Sequence, residues 1–212
     1  MSATIKHKIR PNKKIQTRKA LRQLYKGVDG YTDQLNGYDK KFALTYGEIT
    51  LAGIQKLIDI YKSVHPISSY PSDQRVFYDL GSGIGKNVMM VASMENMLSK
   101  GVELVEHRHN IAMEAWKKTK KSVQSRVEFI NKSFLDIPLH DAAWIFISNL
   151  CMSEQINKEL ADKLEKDLQK NTLIASSKPL PFSNNFQFVR KCHIPMTWDA
   201  ASETFLYKRT SS

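Results

Sequence analysis

The 212-residue chain carries 42% hydrophobic residues, a net charge of +11 and only two cysteines. That length accommodates one well-buried core and is short for two domains. Cys151 and Cys192 lie far apart with no Cys-x-x-Cys partner, which argues against a disulfide scaffold or a thiolate zinc site and fits a reducing compartment. No apolar run approaches the roughly 18 residues of a membrane span, and the first residues lack a signal-peptide core. His107 and His109, at i, i+2, do not share a helix face, so no metal is expected.

In chain order, residues 1–26 hold nine lysines and arginines before the first acid, Asp29, so +9 of the +11 is concentrated there. A single-sign block of this density binds a polyanion or is a solvated tail. Ile15, Leu21, Leu24 and Tyr25 give residues 12–25 a partial helical stripe, and Gly27, Gly30 and Gly37 then mark a loop. A firmer helix is predicted over 49–61, with Ile54, Leu57, Ile58 and Tyr61 on one side. The segment 65–73, with Pro66 and Pro71, reads as a linker. Strands are then predicted at 76–80, 101–105, 127–130, 143–148 and 172–177, with helices at 87–98, 108–122 and 154–170. This alternation implies a parallel α/β sheet with right-handed crossovers. Residues 186–194 and 204–208 are strand-like with no helix between them, so an antiparallel pair is expected at the end. The acid-free cluster Lys117, Lys118, Lys120, Lys121 and Arg126 reads as a solvated helix end.

The run Val76-Phe77-Tyr78-Asp79-Leu80-Gly81-Ser82-Gly83-Ile84-Gly85 is a buried strand ending in a glycine turn before a helix. Such a turn brings bare backbone and a helix N-terminus against a ligand carboxylate. It looks like the S-adenosylmethionine loop of class I methyltransferases. Glu103, closing the second strand, is the kind of acid that accepts hydrogen bonds from a ribose diol.

Further landmarks are Tyr46-Gly47-Glu48-Ile49-Thr50 upstream, Ile145 to Leu150 with Ser148-Asn149 at the end of the fourth strand, Ser176-Ser177-Lys178-Pro179, and a Trp198-containing hairpin. Their order, from about Phe42 to Tyr207, resembles the disruptor of telomeric silencing family, the non-SET methyltransferases that modify a lysine on the structured core of histone H3. The resemblance implies a seven-stranded class I methyltransferase (Rossmann-like, α/β) sheet with a C-terminal antiparallel hairpin and a small N-terminal helical segment. It divides the chain into a basic arm and loop over 1–41 and a catalytic domain over 42–212 that opens with a lid helix at 42–65. It implies S-adenosylmethionine as cofactor, held by Asp79, Gly81, Ser82, Gly83, Gly85, Glu103, Phe134, Glu48 and Thr50. The lysine channel falls on Asn149, Tyr46, Ser148, Phe205 and Tyr207. Histone H3 in nucleosomes is the implied substrate, with DNA phosphates met by the basic arm, no membrane and no metal. The implied location is the nucleus, a host's nucleus if the chain is viral.

The chain departs from the family where Ser133 stands in place of an acid before Phe134, so that acid is either missing or replaced by Asp136, and where Ser148 replaces an asparagine. Ile49 also intervenes before Thr50. Two other readings stay open: a class I methyltransferase of another protein or a small molecule, and an inactive methyltransferase fold that binds chromatin or nucleic acid.

Overall fold

The computed structural model describes residues 19–20, 23–31, 47–95 and 97–211. Most of the basic arm, and so most of the helix predicted over 12–25, lies outside the described residues. The core begins with α1 (Leu51–Val64), which buries Ile54, Leu57, Ile58 and Tyr61 as its periodicity predicts. It starts two residues later than expected because Thr50 is its N-cap: the Thr50 hydroxyl accepts from the Gly53 N–H at 3.0 Å.

The sheet strands are β1 (Val76–Leu80), β2 (Leu98–Val102), β3 (Val127–Ile130), β4 (Ala142–Ile147), β5 (Leu173–Ser176), β6 (Phe186–Ile194) and β7 (Ser202–Arg209). Between them lie α2 (Lys86–Met94), α3 (Glu106–Lys117), α4 (Lys121–Gln124) and α5 (Glu154–Asp167). Among the described residues the strands form one sheet in the order β3-β2-β1-β4-β5-β7-β6. β1 to β5 run parallel, and β7 is antiparallel to both β5 and β6. The expected class I methyltransferase topology, with its terminal hairpin, is therefore present.

The central strands are buried on both faces and divide their side chains between two cores. Phe77 of β1 and Trp144 and Phe146 of β4 meet α1 and α2 with Ile54, Leu57, Met89 and Met90. Val76, Tyr78 and Leu80, with Ile145 and Ile147, meet α5 through Ile156, Leu160 and Leu164.

Two expected boundaries are corrected. The second strand occupies Leu98–Val102 rather than 101–105, and the preceding helix stops at Met94. The register explains both shifts: Leu98 lies opposite Val76 and Gly101 opposite Asp79. A side chain at 101 would collide, since a Cβ there would stand 2.7 Å from Ser82 Oγ and 2.8 Å from the Phe129 ring. The long helix predicted over 108–122 breaks after Lys117. Its last carbonyls need partners outside the helix, and the two hydrogens of Gln124 Nε2 reach Trp116 O at 3.1 Å and Lys117 O at 3.0 Å. The lysines around this break are exposed, and Lys117 pairs with Glu114 at 2.7 Å, whereas Arg126 of the same expected cluster is half-buried and donates its Nε and Nη2 to Ala92 O at 3.2 and 2.9 Å.

The N-terminal segment is not all arm. Tyr25 is buried in the core, Leu24 and Val28 pack against it, and the Gly30 carbonyl accepts from Arg108 Nε at 3.0 Å. The boundary expected at 41 therefore passes to the wrong side of residues 24–30.

Candidate active site

A single cleft collects most of the residues that the sequence singled out. Asp79 is the penultimate residue of β1, Glu103 follows β2 and Ser148 follows β4, so three neighbouring parallel strands deliver them to one edge of the sheet. This is where an open α/β sheet binds its ligands. With Gly47, Glu48, Gly81, Ser82, Gly83, Ser133 and Phe134 they line a cleft of about 970 Å³, its solvent-facing mouth included.

The turn after β1 is built by backbone geometry. Gly81 has φ +86° and Gly85 φ +79°, conformations that L side chains rarely adopt. The N–H groups of Gly81 and Ser82 both donate to Val102 O, at 2.8 and 3.0 Å, which ties the turn to β2. Glu103 ties it a second time: one carboxylate oxygen accepts from the Gly83 N–H and the other from the Val105 N–H, each at 2.8 Å. The acid that faces the cleft is thus also the support of the turn. Gly85 does not reach the cleft wall. It caps α2, and a Cβ there would stand 2.5 Å from the Phe129 ring, so its role is packing and not ligand contact.

The acids are desolvated. Burial pushes the Asp79 carboxyl up to about 8; Asn87 beside it pulls the value partly back, and the charge of Glu103 adds to the rise. Burial also raises Glu103, against the Val105 N–H, the nearby Arg108 charge and the Gly83 N–H, which lower it. The folded Asp79 holds its proton up to about 8, whereas the unfolded group releases it near 3.8. The folded state therefore binds more protons between these values, and this group's contribution is full below 3.8 and is lost as pH rises towards 8. Asp79→Asn, which mimics the neutral acid, is expected to flatten the decline of melting temperature between roughly pH 5 and 9. A variant that keeps the wild-type slope would show that Asp79 is ionised in the fold.

Phe134 is buried on the cleft wall at the start of a short 3-10 turn. Ser133, which stands where the family has an acid, caps that turn by accepting from the Leu135 N–H at 3.2 Å. Asp136 is exposed and does not line the cleft, so it does not replace that acid.

The upstream segment is placed by the far end of the chain. Ile49 bridges Met196, the Glu48 N–H donates to Thr197 Oγ1 at 3.0 Å, and the Thr197 N–H donates to Glu48 O at 2.8 Å. A Cβ on Gly47 would stand 2.6 Å from the Trp198 ring, so glycine there lets the indole close over the backbone. Glu48 reaches the cleft. Thr50 does not: its hydroxyl donates to Pro195 O and caps α1, so it is a structural residue and not a cofactor contact. Tyr46 lies outside the described residues.

The expected lysine-channel set is divided. Ser148 lines the cleft, but Asn149, its neighbour, turns away and is fully buried. Asn149 Nδ2 donates to Asn157 Oδ1 at 2.7 Å and to Lys178 O at 3.3 Å, while its Oδ1 accepts from the Lys178 N–H at 2.8 Å. It clamps the Ser176–Pro179 loop to α5. Phe205 and Tyr207 are not on the cleft wall: Tyr207 is buried against Phe182, with its hydroxyl accepting from the Leu180 N–H at 3.4 Å, and Phe205 packs beside that cluster. Lys86, Arg108 and Met152 line the cleft and were not foreseen. No residue spacing marks them, since they come from two helices and a loop that meet only in the fold.

Comparison with known proteins now decides the family. A family profile described as "Histone methylation protein DOT1" matches residues 25–196, most of the chain. The chain belongs to the DOT1 family. The match starts at Tyr25, consistent with the burial of that residue in the core. A relative, the "Histone-lysine N-methyltransferase, H3 lysine-79 specific" of Caenorhabditis elegans, is 29% identical over 159 residues, covering 69% of this chain. The aligned region is 16% of that relative's length. Among solved structures, an RNA methyltransferase from Salinibacter ruber in complex with S-adenosyl-L-homocysteine aligns with TM-score 0.54 at 17% identity, over 74% of this chain and 93% of its own. A methyltransferase from Geobacter sulfurreducens aligns with TM-score 0.56 at 12% identity, over 92% and 90%. At such identities these two share the fold of this DOT1-family chain. Among the described residues no helix is long and apolar enough to cross a membrane, and no three His, Cys, Asp or Glu side chains cluster as a metal site.

Proposed function

We propose that the chain is a histone H3 lysine methyltransferase that takes its methyl group from S-adenosylmethionine and acts on nucleosomes. The observation that carries this reading is the DOT1-family match across a fold whose glycine turn, Asp79, Glu103 and Phe134 converge on one cleft. The residues fit such a cofactor: the buried Glu103 side chain and the glycine turn line the cleft, the Ser82 hydroxyl has no hydrogen-bond partner among the described residues, and an aromatic ring stands on the wall. S-adenosylmethionine supplies an activated methyl group on a sulfonium, so the protein's task is positioning.

In this reading Glu103 holds the ribose hydroxyls, Phe134 lies against the adenine, and Glu48 faces the amino-acid end. Ser148, with Phe146 behind it, stands beside the incoming lysine. That lysine must be neutral to attack, and a desolvated approach lowers its pKa by penalising the ammonium. Asn149 acts from behind the cleft by fixing the loop around Lys178. Transfer of labelled methyl to nucleosomes, compared with free histones and with mixed protein extract, tests the reading. Labelling of other proteins with none on histone H3 would replace it with a different protein methyltransferase.

The same reading gives the basic arm a role on nucleosomal DNA and places the protein in the nucleus. Because Tyr25 belongs to the core, the informative truncation removes residues 1–18, which carry six lysines and arginines. Six phosphate contacts would give log affinity a slope of roughly −5 against log salt. The truncated protein is expected to lose most of that slope on nucleosomes and to keep its melting temperature. Equal nucleosome affinity with and without residues 1–18 across a salt series would make the segment a solvated tail.

A further inference from the structure

The corner between α3 and α4 carries more positive charge than the fold requires. From Ala115 to Val127 the chain holds Lys117, Lys118, Lys120, Lys121 and Arg126 and no acid. Arg126 is occupied by Ala92 O. The four lysines are exposed, and among the described residues only Lys117 of the four forms a salt bridge, with Glu114. Lys117 and Lys118 complement the negative C-terminal end of α3, but Lys120 and Lys121 open α4, where that benefit is absent. The basic arm joins the core at the same place: Leu24, Tyr25 and Val28 border a groove together with Ala115 and Lys118 of the α3 end. Lys19 and Lys26, on either side of Leu24 and Tyr25, are exposed as well. The corner stands apart from the cleft. Arg108 lines the cleft near the start of α3, and a rise of 1.5 Å per residue puts Lys117 on the order of 15 Å further along.

We propose that this corner is a docking surface for the phosphate backbone of duplex DNA, with Lys118, Lys120 and Lys121 as its contacts and the basic arm as its continuation. The inference rests on the nucleosome reading above for the source of the duplex, and it gives the folded core a phosphate-binding face of its own. A lysine is a compact point charge that holds a phosphate without reading a base. Surfaces for single-stranded nucleic acid interleave their cations with exposed aromatic rings on which bases stack. Here the aromatic of the segment, Trp116, is half-buried and donates its Nε1 to Gln124 O at 3.2 Å, and Thr119 separates the lysines. Charge without a stacking platform fits the outside of a duplex. Because the lysines sit on folded helices, docking there also fixes how the core is oriented on the DNA.

Two triple variants of the full chain separate a local surface from net charge. Lys118→Gln, Lys120→Gln and Lys121→Gln together neutralise the corner. Lys158→Gln, Lys166→Gln and Lys170→Gln remove the same charge from exposed positions on and just after α5, which packs in the other core. Binding of a naked DNA duplex is followed by fluorescence anisotropy across a salt series. Losing three phosphate contacts should flatten the slope of log affinity against log salt by about 2.7, and the α5 variant should flatten it by less than about 1. Both variants should keep the wild-type melting temperature and S-adenosylhomocysteine affinity. An unchanged slope in the corner variant, or equal flattening in the two variants, would overturn the proposal. Competition by polyglutamate or single-stranded RNA that matches the duplex charge for charge would overturn it too, by assigning the surface to another partner. The expected slopes without any labelling of histone H3 would instead overturn the nucleosome reading, since a naked duplex carries no histone.

Discussion

Replacing Glu103 by alanine is expected to weaken S-adenosylhomocysteine about 10- to 150-fold, the loss of a charge-assisted hydrogen bond worth roughly 1.5–3 kcal/mol. The upper part of that range is favoured because Glu103 does two things. Its carboxylate faces the cleft, and it also accepts from the Gly83 and Val105 N–H groups, so alanine leaves the glycine turn without its second tether. Glu103→Gln retains one acceptor oxygen and is expected to lie between alanine and wild type. Glu106 opens α3 and is not on the cleft wall, so Glu106→Ala serves as the control. Calorimetry on the three variants checks the assignment. An unchanged affinity for Glu103→Ala together with a loss for Glu106→Ala would move the ribose contact to the second acid.

Asn149→Ala is expected to act first on stability. The fully buried amide makes three hydrogen bonds, and its removal leaves the buried Asn157 Oδ1 without its donor and the half-buried Lys178 N–H without its acceptor. A buried group left unpaired costs about 1–3 kcal/mol and a lost half-buried hydrogen bond about 0.5–1.5 kcal/mol, for a total of roughly 1.5–4.5 kcal/mol. In a chain of this size that lowers the melting temperature by on the order of 10 °C. Cofactor affinity should change little at temperatures where the variant is folded, because Asn149 does not face the cleft. Methyl transfer should fall only as far as the Lys178 loop shifts. Near-wild-type melting with abolished transfer would return Asn149 to the lysine channel, where the family resemblance puts it.

The positions of these two residues show what a local pattern specifies and what it does not. Glu103 was legible because a short parallel strand ending in an acid has a fixed geometric meaning: the end of the strand is the rim of the cleft. Asp79, Gly81, Ser82 and Gly83 were legible for the same reason, since strand, turn and helix are consecutive in the chain. Asn149 was misplaced because adjacent residues at a strand end point to opposite sides, and nothing local says which of Ser148 and Asn149 faces the ligand. Thr50 was misplaced for a related reason. Its hydroxyl fits a helix cap as well as a binding site, and the cap prevails because the Gly53 N–H and Pro195 O lie within reach.

The sequence by itself determined the layered α/β fold, the terminal hairpin, the glycine turn and the two acids at strand ends, because each depends on periodicity or on neighbours a few residues apart. Only the tertiary structure decided that Tyr25 belongs to the core, that Lys86 faces Glu48, and that residues 195–198 seat the segment at Gly47. Those contacts join positions dozens to more than a hundred residues apart. Their energy comes from burial and charge pairing that exist only after the sheet has closed, so no local pattern encodes them.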